Sequence, residues 1–118
     1  MITITNRSRE FSKVEEYLMT TAPSIVSMKD VEDGTVIPVS GTLEFIDRKD
    51  DTDEEVEVLS IITPDNKVYS CQSKTFKRSL NDITAIMDGA EFSVVKISGK
   101  TKAGRDFINC ILDTNSVK

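Results

Sequence analysis

Residues 76–89 read FKRSLNDITAIMDG, and the reading of this run decides how the chain is organised. Phe76, Leu80, Ile83 and Met87 recur at i, i+4, i+7 and i+11, a spacing that places four apolar side chains on one face of an α-helix. Gly89 stands just past the last of them, where it can serve as a C-cap. Ser73 or Thr75 supplies the oxygen that caps the start. On both sides of this helix the hydrophobic period changes to two.

Working upstream, Val68 to Gln72 reads as a strand. Pro64-Asp65-Asn66-Lys67 before it is a turn, with proline preset for the first corner and Asx residues after it. The turn folds this strand back as a hairpin onto residues 55–63, which carry Val56, Val58, Leu59, Ile61 and Ile62. Earlier still, a turn at Asp33-Gly34 leads into a strand in which Ile37, Val39, Leu43 and Phe45 alternate with Pro38, Ser40, Thr42 and Glu44. Gly41, in its middle, is where a barrel strand kinks. Downstream, Phe92 to Ser98 and Phe107 to Leu112 flank Gly99-Lys100-Thr101-Lys102-Ala103-Gly104, a glycine-bounded basic hairpin tip. The order is strand, strand, strand, helix, strand, strand. That is the order of the OB-fold, an all-β, five-stranded Greek-key barrel with its helix between strands three and four. A small SH3-like barrel or an open α+β sheet is the structural alternative.

The N-terminal third reads differently. The first nine residues show no sustained period and fit a frayed tail or an edge strand. Ser12 and Glu15 have the spacing of a capping box, and Val14, Tyr17 and Leu18 fall on one face, so a short helix is predicted over 12–20. Pro23 and its polar neighbours end it, and Ser24 to Val31 fits a loop or a turn of helix. The expected organisation is a tail and short helix over 1–32, a barrel over 33–113 and a short tail over 114–118.

The 118 residues are the size of one domain, and 38% hydrophobic with 30% charged residues is too apolar for a disordered chain and too interrupted for a membrane span. The start of the chain lacks the roughly 7 to 15 residue apolar run of a signal peptide, so a cytoplasmic location is expected. In that compartment Cys71 and Cys110 stay thiols, small core hydrophobes rather than metal or redox groups. There is no histidine. That removes the commonest general base, the Ser-His and Cys-His nucleophile pairs and most zinc sites, so neither an enzyme nor a cofactor is expected.

The net charge of -5 is unevenly spread. Residues 1–63 carry six Lys/Arg against fourteen Asp/Glu, whereas residues 64–118 carry nine against six. Most of the acidity lies in Asp47 to Glu57, where seven carboxylates face only Arg48 and Lys49. This run is not an EF-hand: counting from Asp51, the sixth position is Val56 where that loop needs glycine. It reads as a solvated loop between strands one and two, with charge that repels phosphate.

Gly99-Lys100-Thr101 likewise fails as a phosphate-binding P-loop, because the glycine required five residues earlier is Val94. What remains is a finger carrying Lys100, Lys102 and Arg105, with Lys96 on the preceding strand. Such a cluster is either a soluble hairpin tip or a contact for a phosphate backbone. On the strand before the helix, Lys67 and Tyr69 share one face, and Lys74 follows. Tyr69 is either a stacking platform or a half-buried cover for the barrel end. Phe45, one of seven aromatics, is either a core residue or a second platform.

At this point the residues resemble a known family. Asp33-Gly34-Thr35-Val36-Ile37, then Asp65 to Tyr69 followed by Ser70 and by Ser73-Lys74-Thr75, then Thr101-Lys102-Ala103-Gly104 leading into Phe107, resemble the single-stranded DNA-binding proteins of small tailed phages with protein-primed replication. The likeness runs from about residue 33 to residue 112. It implies an OB-like fold, non-specific binding of displaced single strands and aromatic contacts with bases. Tyr69 matches a tyrosine of that family, and Phe45 stands where the family can carry one. The C-terminal Asp113-Thr114-Asn115-Ser116-Val117-Lys118 lacks the acidic apolar tip of bacterial single-strand binders, so recruitment of host repair proteins through a tail is not implied.

The function expected from these readings is sequence-tolerant binding of single-stranded DNA, with Tyr69 and Phe45 stacking and Lys67, Lys74, Lys96, Lys100, Lys102 and Arg105 meeting phosphates. Partners would be single-stranded DNA and phage replication proteins, without a membrane, for a monomer or weak dimer in the host cytoplasm. The rival reading is a protein-binding or DNA-mimic module acting through the acidic half and the helix of Tyr17.

Overall fold

A computed structural model describes residues 2–48 and 54–117. The described residues are mostly β with two α-helices, and their strands form two open sheets. The elements are β1 (Ile2–Arg7), α1 (Lys13–Thr20), β2 (Val26–Ser27), β3 (Val36–Val39), β4 (Gly41–Arg48), β5 (Glu55–Ile62), β6 (Val68–Cys71), α2 (Lys74–Met87), β7 (Phe92–Lys100) and β8 (Asp106–Asp113). Single 3₁₀ turns stand at Met28–Asp30 and Thr114–Ser116. No helix among the described residues is long and apolar enough to cross a membrane. Two compact units divide the chain: Met1–Met28 with Ser40–Gln72, and Lys29–Val39 with Ser73–Lys118.

The first unit is a five-stranded sheet in the order β1-β4-β5-β6-β2. Its N-terminal stretch is an edge strand, antiparallel to β4, with a register shift between Ile4 and Asn6. A bulge of this kind breaks the period of two, which is why the segment shows none in sequence. Helix α1 begins where predicted: the Ser12 hydroxyl accepts from the Glu15 N–H, and the Glu15 carboxylate accepts from the Ser12 N–H. That return bond first, and Arg9 second, hold the Glu15 carboxyl below its ordinary value. Met19 is fully buried with Leu43, Phe45, Ile62 and Val68, which lie on one face of the sheet. The buried Ser60 hydroxyl donates to the Met19 carbonyl at 2.6 Å and fixes the helix end on β5. On the opposite face Leu59, Ile61, Tyr69 and Cys71 are also buried, so β5 and β6 hide both faces.

Two expectations change in detail. The single strand over 37–45 is divided: β3 pairs with β7 and β4 pairs with β5, with Ser40 between them. Gly41 is needed there because the Phe11 ring and the Arg9 guanidinium cover it, and a side chain would meet the ring at 2.7 Å. The acidic stretch is also less of a loop than its composition suggests, since β4 and β5 run into it and pair Arg48 with Glu55. Asp50, Asp51 and Asp53 lie outside the described residues.

The second unit is a three-stranded sheet, β3-β7-β8, packed by α2. The Ser73 hydroxyl accepts from the Phe76 N–H to cap the helix and lies 3.3 Å from the Ile108 carbonyl on β8, to which it donates. Phe76 and Leu80 are completely buried, as the helical spacing demands. The helix ends at Asp88, itself left-handed at φ 46°, ahead of Gly89 at φ 90°. On the inner face of the sheet Ile37, Phe92, Val94 and Cys110 are buried. The outer face carries Val36, Val95, Ile97, Gly99, Phe107 and Ile111, of which Val36 and Ile111 are about half exposed.

Candidate functional site

The turn joining β7 to β8 is closed by its own backbone. Thr101 N–H donates to the Arg105 carbonyl at 2.9 Å, Gly104 N–H to the Thr101 carbonyl at 2.9 Å, and Arg105 N–H to the Thr101 hydroxyl at 3.2 Å. Gly104 takes φ 81°, a conformation that glycine adopts at no steric cost. The result is an ordered tip from which Lys100, Lys102 and Arg105 project exposed. Lys100 lies 3.9 Å from Asp106, a pair so solvated that it restrains neither charge. Lys102 and Arg105 have no carboxylate partner among the described residues. Lys74, the first residue of α2, is exposed as well.

Lys96 behaves differently from the cations of the tip. It shares the inner face of β7 with Phe92 and Val94 and is 4% exposed. Its ammonium donates to the Val31 carbonyl at 2.7 Å and pairs with Asp33 at 3.0 Å. Asp33 also accepts from the Ser98 hydroxyl, and that bond first, with Lys96 second, holds its carboxyl below the ordinary value. The charge of Lys96 is therefore committed to the segment that precedes β3.

In the first unit, Lys67 and Tyr69 lie on one face of the β6 region, as their spacing required. The Lys67 ammonium stands 5.2 Å from the centre of the Tyr69 ring. The Tyr69 hydroxyl is the first cause of a raised Lys67 pKa, so Lys67 stays cationic across the physiological range. Tyr69 itself is 8% exposed beneath that cover. Phe45 is 4% exposed and packs with Met19, Leu43, Ile62 and Val68. Its ring is part of the core of that unit.

Against known proteins, the family of phage single-stranded DNA-binding proteins matches residues 4–113. The chain belongs to that family. No curated protein and no solved structure matches it. The match begins within β1 and takes in α1, so the family's extent reaches well upstream of residue 33.

One feature of the β7–β8 hairpin belongs to none of the motifs. Phe107 lies directly across from Gly99, and the tip of its ring sits where a side chain at Gly99 would be, 2.7 Å from the position of an added Cβ. Counting outward from the hairpin tip gives this pairing, and an aromatic opposite a strand glycine is the signal that identifies it.

Proposed function

We propose that the protein coats displaced single strands during phage DNA replication, binding without sequence preference and without catalysis, in the cytoplasm of the bacterial host. The observation that carries the reading is the ordered β7–β8 tip, which presents three exposed cations in a chain of net acidic charge. Lysine and arginine contacts to phosphate release counterions and give affinity that falls with salt. Rings supply the rest, since every base has a face to stack and a stack does not read sequence. In the second unit the phosphate contacts are Lys74, Lys100, Lys102 and Arg105. In the first unit we assign Lys67 to phosphate and the Tyr69 ring beneath it to a base, with the lysine swinging aside as the base arrives. The strand order supports an OB-like barrel over 33–113, in which residues 36–48 act as one interrupted first strand.

The test is fluorescence polarisation of a labelled oligo-dT with an equal-length duplex as competitor, at low and moderate salt. Salt-sensitive binding that the duplex does not compete for is expected. Absence of binding at low salt overturns the reading and turns attention to a protein partner for the acidic half.

A further inference from the structure

Seven aromatic side chains are available to a protein that binds bases by stacking, and the structure disposes of most of them. Phe45, Phe76 and Phe92 are buried, and Tyr69, already assigned above to a base, lies under Lys67. Phe11 has its ring covered by the Arg9 guanidinium, 4.4 Å from its centre. Tyr17 is 54% exposed, but on a helix whose charges are Lys13, Glu15 and Glu16, a surface with no attraction for phosphate. Phe107 is the ring not yet accounted for.

Its setting is the reverse of the setting of Tyr17. The ring is half-buried on the outer face of β8, it rests against Gly99 on β7, and among the described residues no cation lies over it. A glycine opposite an aromatic lets the ring settle against the neighbouring strand, which holds the ring in place before any ligand arrives. Lys100 is the next residue after Gly99, and Arg105 precedes Phe107 by two residues, about 6.6 Å along an extended strand. A ring without a cation partner thus stands beside the exposed charges of the turn, with Lys100 and Asp106 one rung on and on the opposite face of the hairpin. Beyond it on the same face lie Ile97, Val95 and Ile111, an apolar surface continuous with the ring.

Resting on the single-strand reading above, we propose that Phe107 stacks on a nucleobase of bound single-stranded DNA while Lys102 and Arg105 of the adjoining turn hold neighbouring phosphates. The ring and the cations come from one hairpin, so one element supplies both halves of the contact. Gly99 is the positioning residue, because any side chain there displaces the ring.

The experiment uses the full chain and oligo-dT. Phe107→Ala is expected to lower affinity roughly 5- to 150-fold, with Tyr17→Ala unchanged as the control and the thermal midpoint of Phe107→Ala reporting that it is folded. Phe107→Trp is expected to retain affinity and, in a chain that has no other tryptophan, to show emission quenched by oligo-dT. Failure of the wild-type chain to bind oligo-dT removes the single-strand reading and this inference with it. Wild-type binding with equal affinity in Phe107→Ala, or with Phe107→Trp emission unaltered at saturation, overturns the assignment of Phe107 alone.

Discussion

The ammonium of Lys96 is 3.0 Å from the carboxylate of Asp33, and the lysine is buried although the aspartate is not. A lysine placed in sequence beside a basic hairpin is thereby converted from a ligand contact into a clasp between β7 and the turn that precedes β3. The Gly34 N–H to Lys96 carbonyl bond at 2.8 Å and the Lys96 N–H to Thr35 carbonyl bond at 3.0 Å reinforce it. Lys96→Ala should cost about 1–3 kcal/mol of stability through the abandoned acceptor at Val31. Its salt dependence of DNA binding should match the wild type. A shallower salt slope in this variant would return Lys96 to the phosphate contacts.

The same pair predicts a pH effect. Asp33 has a lowered pKa in the folded state, so its stabilisation is complete above the ordinary carboxylate value of about 4 and fades as pH falls through the lower folded value. Asp33→Asn should therefore melt below the wild type at neutral pH, and the gap should narrow in acid. Melting curves at pH 7 and near pH 3 check this. A gap that is equal at both would mean that the ionised carboxylate is not what matters.

For the hairpin tip the expectation is arithmetic. Each phosphate neutralised on a single strand contributes about 0.7 to the slope of log affinity against log salt. Lys100→Ala, Lys102→Ala and Arg105→Ala should each flatten the slope by about that amount, and the triple variant by about 2. Titration across a salt series measures it directly.

Phe45→Ala should lower stability by about 3–5 kcal/mol, the cost of deleting a buried aromatic from a packed cluster. Phe45→Leu, which keeps most of the volume, should bind oligo-dT as the wild type does. Chemical denaturation and polarisation on the same samples separate the two effects. A folded Phe45→Leu protein with weakened binding would make Phe45 a base contact.

Tyr69→Leu tests the remaining aromatic of the proposed interface. The substitution keeps an apolar side chain at a position that is mostly covered, and removes the ring face. Affinity should fall by an amount in the range of one stacking contact, about 1–3 kcal/mol. Tyr69→Phe should retain the affinity while relieving the raised pKa of Lys67, which NMR titration of that lysine would detect.

What the chain discloses without a structure is what is local to it. The capping box at Ser12, the turn at Pro64, the cap at Ser73 and the apolar face of α2 are each decided within a few residues, and each forms as its spacing predicts. Hidden from such a reading are the pairings set by distant partners. Val26 and Ser27 gain strand character only by lying parallel to Tyr69 and Ser70. Residues 36–48 divide because two different sheets claim their two ends. The candidate site is intermediate. Alternation along β7 assigns Lys96 to the same face as Phe92 and Val94, which is enough to turn it inward, whereas the burial of Phe45 and Tyr69 depends on cover that no alternation reports.

The irregular rim of the five-stranded sheet bears on how such a protein survives in bulk. One rim is β1, whose ladder is broken near Thr5, and the other is β2, which is two residues long. Both make poor templates for strand addition from a neighbouring molecule. Under the proposed coating of displaced strands, copies would lie side by side, and rims that refuse to zip together would let them do so without their sheets fusing into fibres.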